Sequence, residues 1–276
     1  MKELLQKYSL KPSKRLGQNF LINKGIIKKI IAAADLRAGD VVLEIGPGLG
    51  ALTKELAKTA KKVVAVEKDK KLIPLLKEEL KGYNNIQIIN SDILKIRGKQ
   101  ISADLMKYKI IANLPFYITA PVIRMFLEDP PSGRPPEEMV LVVQKEVAQR
   151  ITAKPPKMSI LAAAVQFYAQ VQTISYILKG SFWPAPKTDS AIIKITPFSP
   201  AKLNKLSPSQ KKVFFKIVRA GFSHPRKQLA NNFSKELNIE KKIVEQWLKK
   251  NKINPKQRAE ALDIANWRSL YKTIPV

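Results

Sequence analysis

The sequence predicts an α/β protein, a doubly wound and mostly parallel sheet followed by a smaller all-α domain. Three observations carry this expectation. Apolar, β-branched runs recur at near-even spacing through the first half of the chain; a glycine-rich turn and an amphipathic stretch follow the first of them directly; and beyond a proline-rich stretch near 197–208 the period turns helical while the charge turns strongly positive.

The runs are VVLEI from Val41, VVAVE from Val63, IQIIN from Ile86 and KIIAN from Lys109, with MVLVVQ from Met139 as a fifth. The first four begin 22 to 23 residues apart, which is what a strand, a helix and two short loops occupy. Runs apolar on both faces fit parallel strands covered by helices on each side. After the first run, Leu49, Leu52 and Leu56 at i, i+3 and i+7 predict one apolar helix stripe. SILAAAVQF reads as a buried helix, and VQTISYIL behind it as an alternating strand. With AIIKIT beyond the proline-rich SFWPAPKTDS, that strand predicts an antiparallel addition at one sheet edge. PFSPAKLNKLSP at 197–208 has the composition of a linker, so the expected domains are 1–200 and 201–276. Helical patterns fill the second: KKVFFKIVRAGF, RKQLANNFSKEL, EKKIVEQWLKKN, and a last one near ALDIANWRSLYK.

With 276 residues, 45% of them hydrophobic, the chain can bury the cores of one large and one smaller domain. It has no cysteine, which removes disulfides, thiolate nucleophiles and cysteine-held zinc; a single histidine leaves little for a histidine metal site, and no metal is expected. The N-terminal MKELLQKYSLKPSKRLGQNF carries charges where a signal peptide needs its apolar stretch, and the uncharged segment Met158–Leu178 is interrupted by Gln166, Gln170 and Gln172. A cytoplasmic protein with no membrane role is expected. Fifty Lys and Arg against 22 Asp and Glu give a net charge of +28, and residues 201–276 alone hold 18 basic and 5 acidic side chains. Self-repulsion of this size gains a fold nothing, so a polyanionic partner such as a nucleic acid is the economical explanation.

The turn after the first run reads Glu44-Ile45-Gly46-Pro47-Gly48-Leu49-Gly50. Glycines there let the backbone approach a ligand over the strand ends. Gly46, Gly48 and Ala51 also satisfy the dinucleotide form G-x-G-x-x-A, so the turn alone leaves a nicotinamide cofactor open. Glu67, ending the second run, is placed to accept from ribose hydroxyls in either case. Glu44 ahead of the glycines and Asp92 after the third run tilt the reading: acids after three successive strands suit S-adenosyl-L-methionine, which carries a sulfonium and no pyrophosphate. The alternative for each acid is a solvated loop residue, and their joint occurrence at one strand register makes that alternative much weaker.

The fourth run ends in Asn113-Leu114-Pro115-Phe116. Adenine's exocyclic amine is a poor nucleophile because its lone pair is delocalised into the ring. An amide oxygen that accepts one N–H, helped by a backbone carbonyl such as that of Leu114, favours a pyramidal nitrogen aimed at the methyl. Phe116 would stack on the base, a contact of roughly 1–3 kcal/mol, and Pro115 would fix the turn between them. A cytosine C5 methyltransferase needs the cysteine this chain lacks. An isolated N-x-P-F would be no more than a strand-ending turn with a core aromatic; its setting after a cofactor domain is what gives it chemistry.

With KRLGQNFL, EIGPGLGALT, VEKD, SDIL, NLPFYIT, SFWPAPKTDSA and GFSHPRKQLANNF in this order, the chain resembles the ribosomal RNA adenine N6,N6-dimethyltransferases of the KsgA/RsmA type, from Lys14 to nearly the end. The resemblance implies a Rossmann-like class I methyltransferase domain that converts S-adenosyl-L-methionine to S-adenosyl-L-homocysteine. It implies that the segment Gln18-Asn19-Phe20-Leu21 lies over the cofactor, with Asn19 and Leu21 at its methionine or adenosine part, and that Gly46, Glu67, Asp92 and Asn113 line its pocket. Glu67 would hold the ribose and Asp92 the adenine amine. Phe182 would face the target base from the side opposite Phe116. The implied substrate is a pair of adjacent adenosines in a hairpin loop near the 3′ end of small-subunit rRNA within an assembling subunit, gripped by the basic helical domain through Arg226 and Lys227, with the protein a monomer. His224 reads as a helix-entry residue and not a ligand. Family members commonly have tyrosine where Phe116 stands; stacking survives that change and a hydroxyl hydrogen bond does not. Alternatives from the same residues are a large-subunit adenine N6-methyltransferase of the antibiotic-resistance type, an NAD-dependent oxidoreductase, and a non-enzymatic RNA- or DNA-binding assembly or transcription factor.

Overall fold

The apolar runs form strands, and the order in which they pair sets where a ligand can sit. The computed structural model describes residues 2–96, 107–199 and 207–275. In chain order these form α1 (Lys2–Lys7), β1 (Phe20–Leu21), α2 (Lys24–Ala34), β2 (Val41–Ile45), α3 (Ala51–Ala57), β3 (Lys62–Glu67), α4 (Ile73–Leu80), β4 (Ile86–Asn90), β5 (Lys109–Asn113), α5 (Thr119–Glu128), β6 (Glu138–Gln144), α6 (Lys145–Ile151), α7 (Ile160–Tyr168), β7 (Ala169–Ile177), β8 (Phe182–Trp183) and β9 (Ser190–Pro197), then α8 (Pro208–Gly221), α9 (Leu229–Leu237), α10 (Lys241–Lys250) and α11 (Ile264–Lys272).

Seven strands make one sheet in the order β4-β3-β2-β5-β6-β9-β7. β2, β3, β4, β5 and β6 pair in parallel, and β9 joins β6 antiparallel. From β2 the chain builds outward to β3 and β4, then returns to place β5 on the other side. The C-terminal ends of β2 and β5 therefore flank the switch point where ligands bind in doubly wound sheets. A separate two-residue ladder pairs Phe20 with Trp183 and Leu21 with Phe182. The helix after β2 is shorter than the leucine spacing predicts. It begins only at Ala51, behind Gly50 in the left-handed region, so Leu52 and Leu56 lie on it and Leu49 lies in the turn before it.

Local chemistry sets the ends of α2. The Asn23 side chain accepts from the N–H groups of Gly25 and Ile26 at 2.9 and 3.2 Å, and the helix stops at Asp35, whose φ is 41°. Two lysines from the sheet then reach the last carbonyls. Lys109 Nζ donates to Ala34 O, Asp35 O and the Asp40 carboxylate at 2.9, 2.8 and 2.9 Å, and Lys194 Nζ to Ala33 O at 2.9 Å and Glu138 at 2.6 Å. The Lys109 and Asp40 side chains are only 12% and 16% exposed, so this pair is poorly screened. Lys109→Met is expected to lower stability by about 2–4 kcal/mol in urea unfolding, because it strands a shielded carboxylate and two carbonyls; an unchanged midpoint would show that solvent replaces the ammonium.

The chain divides into two units, Met1–Ala148 with Val171–Pro197, and Gln149–Gln170 with Phe198–Val276. The boundary expected after residue 200 lies outside the described residues. In the second unit α7 joins the helices that follow the linker: Phe167 lies with its ring 4.4 Å from that of Phe214, and Arg268 donates to its carbonyl at 3.1 Å. Buried Asn232 donates to Gly221 O and His224 O at 2.6 and 3.1 Å, which fixes the GFSHP turn between α8 and α9. Among the described residues no helix is long and apolar enough to cross a membrane.

Candidate active site

A cleft with about 800 Å³ of empty space, part of it continuous with solvent, opens over the C-terminal ends of β2, β3, β4 and β5. Each wall comes from one strand end: Ile45, Gly46 and Gly48 after β2; Val66, Glu67 and Lys68 from β3; Ser91, Asp92 and Ile93 after β4; and Asn113 through Ile118 after β5. The segment Leu16–Phe20, Leu72 and Phe182 complete the lining.

The glycine turn is tight for a steric reason. Gly46 and Gly48 have φ of 71° and 60°, and a Cβ on Gly48 would lie 3.0 Å from the Phe20 ring. The backbone disfavours a side chain at both positions, and at Gly48 the Phe20 ring would also have to give way. Glu67, 6% exposed, accepts from Gly48 N–H at 3.2 Å and Asp69 N–H at 2.8 Å. Burial raises its pKa in spite of those bonds. Asp92 accepts from Leu94 N–H at 3.1 Å and pairs with Lys68 Nζ at 2.9 Å. Its burial works to raise the pKa, but Lys68 and the Leu94 N–H outweigh it and hold the group below the usual carboxylate range.

Beyond β5, Leu114 N–H continues the ladder to Val142 O at 3.3 Å, and Pro115 O accepts from Ile118 N–H at 3.1 Å. This single turn carries Asn113, Leu114, Pro115 and Phe116 to the cleft wall. Asn113 Nδ2 donates to Asn19 O at 3.0 Å. Phe182 also lines the cleft and is 3% exposed.

Two expected cofactor residues, Leu21 and Glu44, do not line the cleft. In each case the strand alternation puts the neighbouring residue there instead, Phe20 for Leu21 and Ile45 for Glu44. Leu21 belongs to the core cluster that also holds Ile26, Ile27 and Phe182. Glu44 is 1% exposed, and burial, augmented by the nearby Glu67 charge, pushes its pKa up to about 8. Folded, it is neutral at pH 7; unfolded, it ionises near 4.5. Its protonated state stabilises the fold fully below about pH 4.5, and that contribution fades as pH climbs to about 8, by roughly 3–5 kcal/mol in all. Glu44→Gln should therefore flatten the fall in stability between about pH 5 and pH 8 in urea titrations; an unchanged slope would place the titration elsewhere.

Phe20 lines the cleft as part of the expected segment, whereas Lys68, Ser91 and Tyr117 line it without standing out in the sequence. Lys68 and Ser91 adjoin Glu67 and Asp92, and that adjacency was the available signal. Arg226 and Lys227 lie exposed in the turn between α8 and α9, in the second unit, and His224 lies in that same turn and not at a helix entry. Among the described residues no cluster of His, Cys, Asp and Glu is arranged to hold a metal ion.

Solved structures that superpose on this one place the fold among the S-adenosylmethionine-dependent methyltransferases. A dimethyladenosine transferase from Plasmodium falciparum aligns with a TM-score of 0.74 at 28% identity over 91% of this chain and 95% of that one. The 23S rRNA methyltransferase ErmE aligns with a TM-score of 0.75 at 25% identity over 93% of this chain and 99% of its own. The sequence profile described as Ribosomal RNA adenine dimethylase matches residues 10–275, and the chain belongs to that family. It is 46% identical over 269 residues, 98% of this chain and 90% of the relative, to the Ribosomal RNA small subunit methyltransferase A of Dehalococcoides mccartyi (strain CBDB1).

Proposed function

We propose that this chain transfers methyl groups from S-adenosyl-L-methionine to N6 of two adjacent adenosines in a hairpin loop near the 3′ end of small-subunit ribosomal RNA, acting as a cytoplasmic monomer on an assembling subunit. The observation that carries the reading is the convergence of Glu67, Asp92 and the Asn113–Phe116 turn on one cleft. The cleft suits the cofactor: a turn whose Gly46 and Gly48 sit at positive φ, with the Phe20 ring close over Gly48, and two carboxylates at successive strand ends. Glu67 would accept from the ribose hydroxyls and Asp92 from the adenine amine, while Gln18 and Asn19 close over them. The cofactor, when bound, supplies an electrophilic methyl on a sulfonium.

The protein's own part is to hold and orient the acceptor. Asn113 Oδ1 and the Leu114 carbonyl would accept the two N–H bonds of adenine N6, leaving its lone pair directed at the methyl. No base need act before attack, since the proton leaves the cationic product nitrogen, and a neutral amide suffices. Phe116 and Phe182 would hold the base between them, extracted from its stack. Stacking needs no hydroxyl, so phenylalanine at 116 serves. The +28 net charge suits a phosphate-rich substrate, with Arg226 and Lys227 as contacts in the basic helical region.

The 46% identity to a small-subunit enzyme favours that substrate, and the likeness to a 23S rRNA methyltransferase supports the large-subunit reading as second. Nucleoside digests of both ribosomal RNAs from a strain lacking the gene separate them. Dimethyladenosine should vanish from the small-subunit RNA; its loss from the large-subunit RNA alone would favour the second reading.

A further inference from the structure

We propose that Gln18 is a positioning residue for methyl transfer: it holds the Asn19 carbonyl against the Asn113 amide and so fixes which end of that amide meets the acceptor nitrogen. The proposal rests on the reading of Asn113 given above. Gln18 Nε2 donates to Asp69 Oδ2 at 2.8 Å, and its Oε1 accepts from Ser13 N–H at 2.7 Å. Both ends of the side-chain amide are engaged, so Gln18 has one orientation. Asp69 is fixed in turn, for its Oδ1 accepts from Lys71 N–H at 3.1 Å and its own N–H donates to Glu67 at 2.8 Å. The segment that crosses the cleft is thereby tied to the same strand end that carries Glu67.

One residue further along, Asn19 O accepts from Asn113 Nδ2 at 3.0 Å. A carbonyl can only accept, so the NH2 of Asn113 must face Asn19, and Oδ1 is the group left for the cleft. The torsion that would exchange the two ends of an asparagine amide is soft and roughly two-fold. Without the Asn19 carbonyl, the amide can turn and present a donor to the donor N–H groups of the acceptor amine. Gly17, at φ 60°, seats this segment on the β5 turn: a Cβ there would lie 3.5 Å from both Pro115 and Tyr117.

A polarity swap tests the bridge. Gln18→Glu keeps the acceptor for Ser13 but sets a carboxylate against Asp69; Gln18→Glu with Asp69→Asn restores a donor and acceptor across the gap with the charge unchanged. Turnover of the full chain on unmethylated small-subunit ribosomal RNA is expected to fall about 10-fold in kcat for Gln18→Glu and to return to within roughly 2–3-fold in the double variant. In an Asn113→Ala background, followed under single-turnover conditions, Gln18→Glu should cause no further loss. Wild-type kcat in Gln18→Glu, losses that multiply with Asn113→Ala, or a folded double variant that stays slow would each overturn the role of Gln18. Full turnover in Asn113→Ala would instead overturn the reading of Asn113 beneath it. If Gln18→Glu alone does not fold, the double variant and its Asn113→Ala derivative carry the same decision.

Discussion

Replacing Asn113 by alanine should lower the rate of methyl transfer roughly 10²–10³-fold while RNA affinity stays within about 3-fold. The selectivity follows from what the side chain does. Adenine N6 reacts only when its lone pair is freed from the ring, and an amide oxygen accepting one N–H strengthens as the nitrogen becomes pyramidal. Its contribution is larger in the transition state than in the bound substrate, which places the loss in kcat. Asn113→Asp is the informative companion, since it keeps an acceptor but loses the NH2 that meets Asn19 O at 3.0 Å. It should retain more activity than alanine and less than the native amide. Quench-flow single-turnover rates on saturating RNA measure both, and a full rate in Asn113→Ala would remove this residue from the mechanism.

Glu67→Ala should weaken S-adenosyl-L-homocysteine binding by about 1.5–3 kcal/mol, the range for hydrogen bonds to a charged group. The carboxylate has two tasks. In the proposed reading it accepts from the ribose, and it also accepts from the N–H groups of Gly48 and Asp69, linking the glycine turn to the end of β3. Alanine removes both. Glu67→Gln retains one acceptor oxygen, so it should relax the turn less while still losing much of the affinity. Calorimetric titration of the two variants separates direct binding from turn geometry. An unchanged affinity in Glu67→Ala would count against the ribose assignment.

How much of this was legible in the sequence depended on the range over which each residue acts. VVLEI, VVAVE, IQIIN, KIIAN and MVLVVQ announce strands because burial on both faces demands continuous β-branched apolar residues. Four of those runs end at the cleft, so Glu67 and Asn113 at run ends, and Asp92 two residues beyond Asn90, stand out. Single-residue registry was harder. Glu44 and Leu21 sit one alternation away from the lining positions held by Ile45 and Phe20, and a strand of two residues such as Phe20–Leu21 is too short to show a period. The roles of Gln18 and Asn19 leave no local trace at all, since their partners Asp69 and Asn113 lie 51 and 94 residues away; only family resemblance pointed to the segment. The grouping of α7 with the later helices was equally hidden, because Phe167 finds Phe214 across an intervening stretch that includes three strands.

The central claim, that the cleft methylates N6 of paired adenosines in small-subunit RNA, is tested most directly by one side-by-side assay. The purified chain is given labelled S-adenosyl-L-methionine with immature small subunits, naked small-subunit RNA or large-subunit RNA, and the products are digested to nucleosides. The expected result is N6,N6-dimethyladenosine at two adjacent positions near the 3′ end of the small-subunit RNA, formed faster on immature subunits than on naked RNA. Dimethyladenosine only in the large-subunit RNA, or no methylated adenosine in any of the three, would contradict the account.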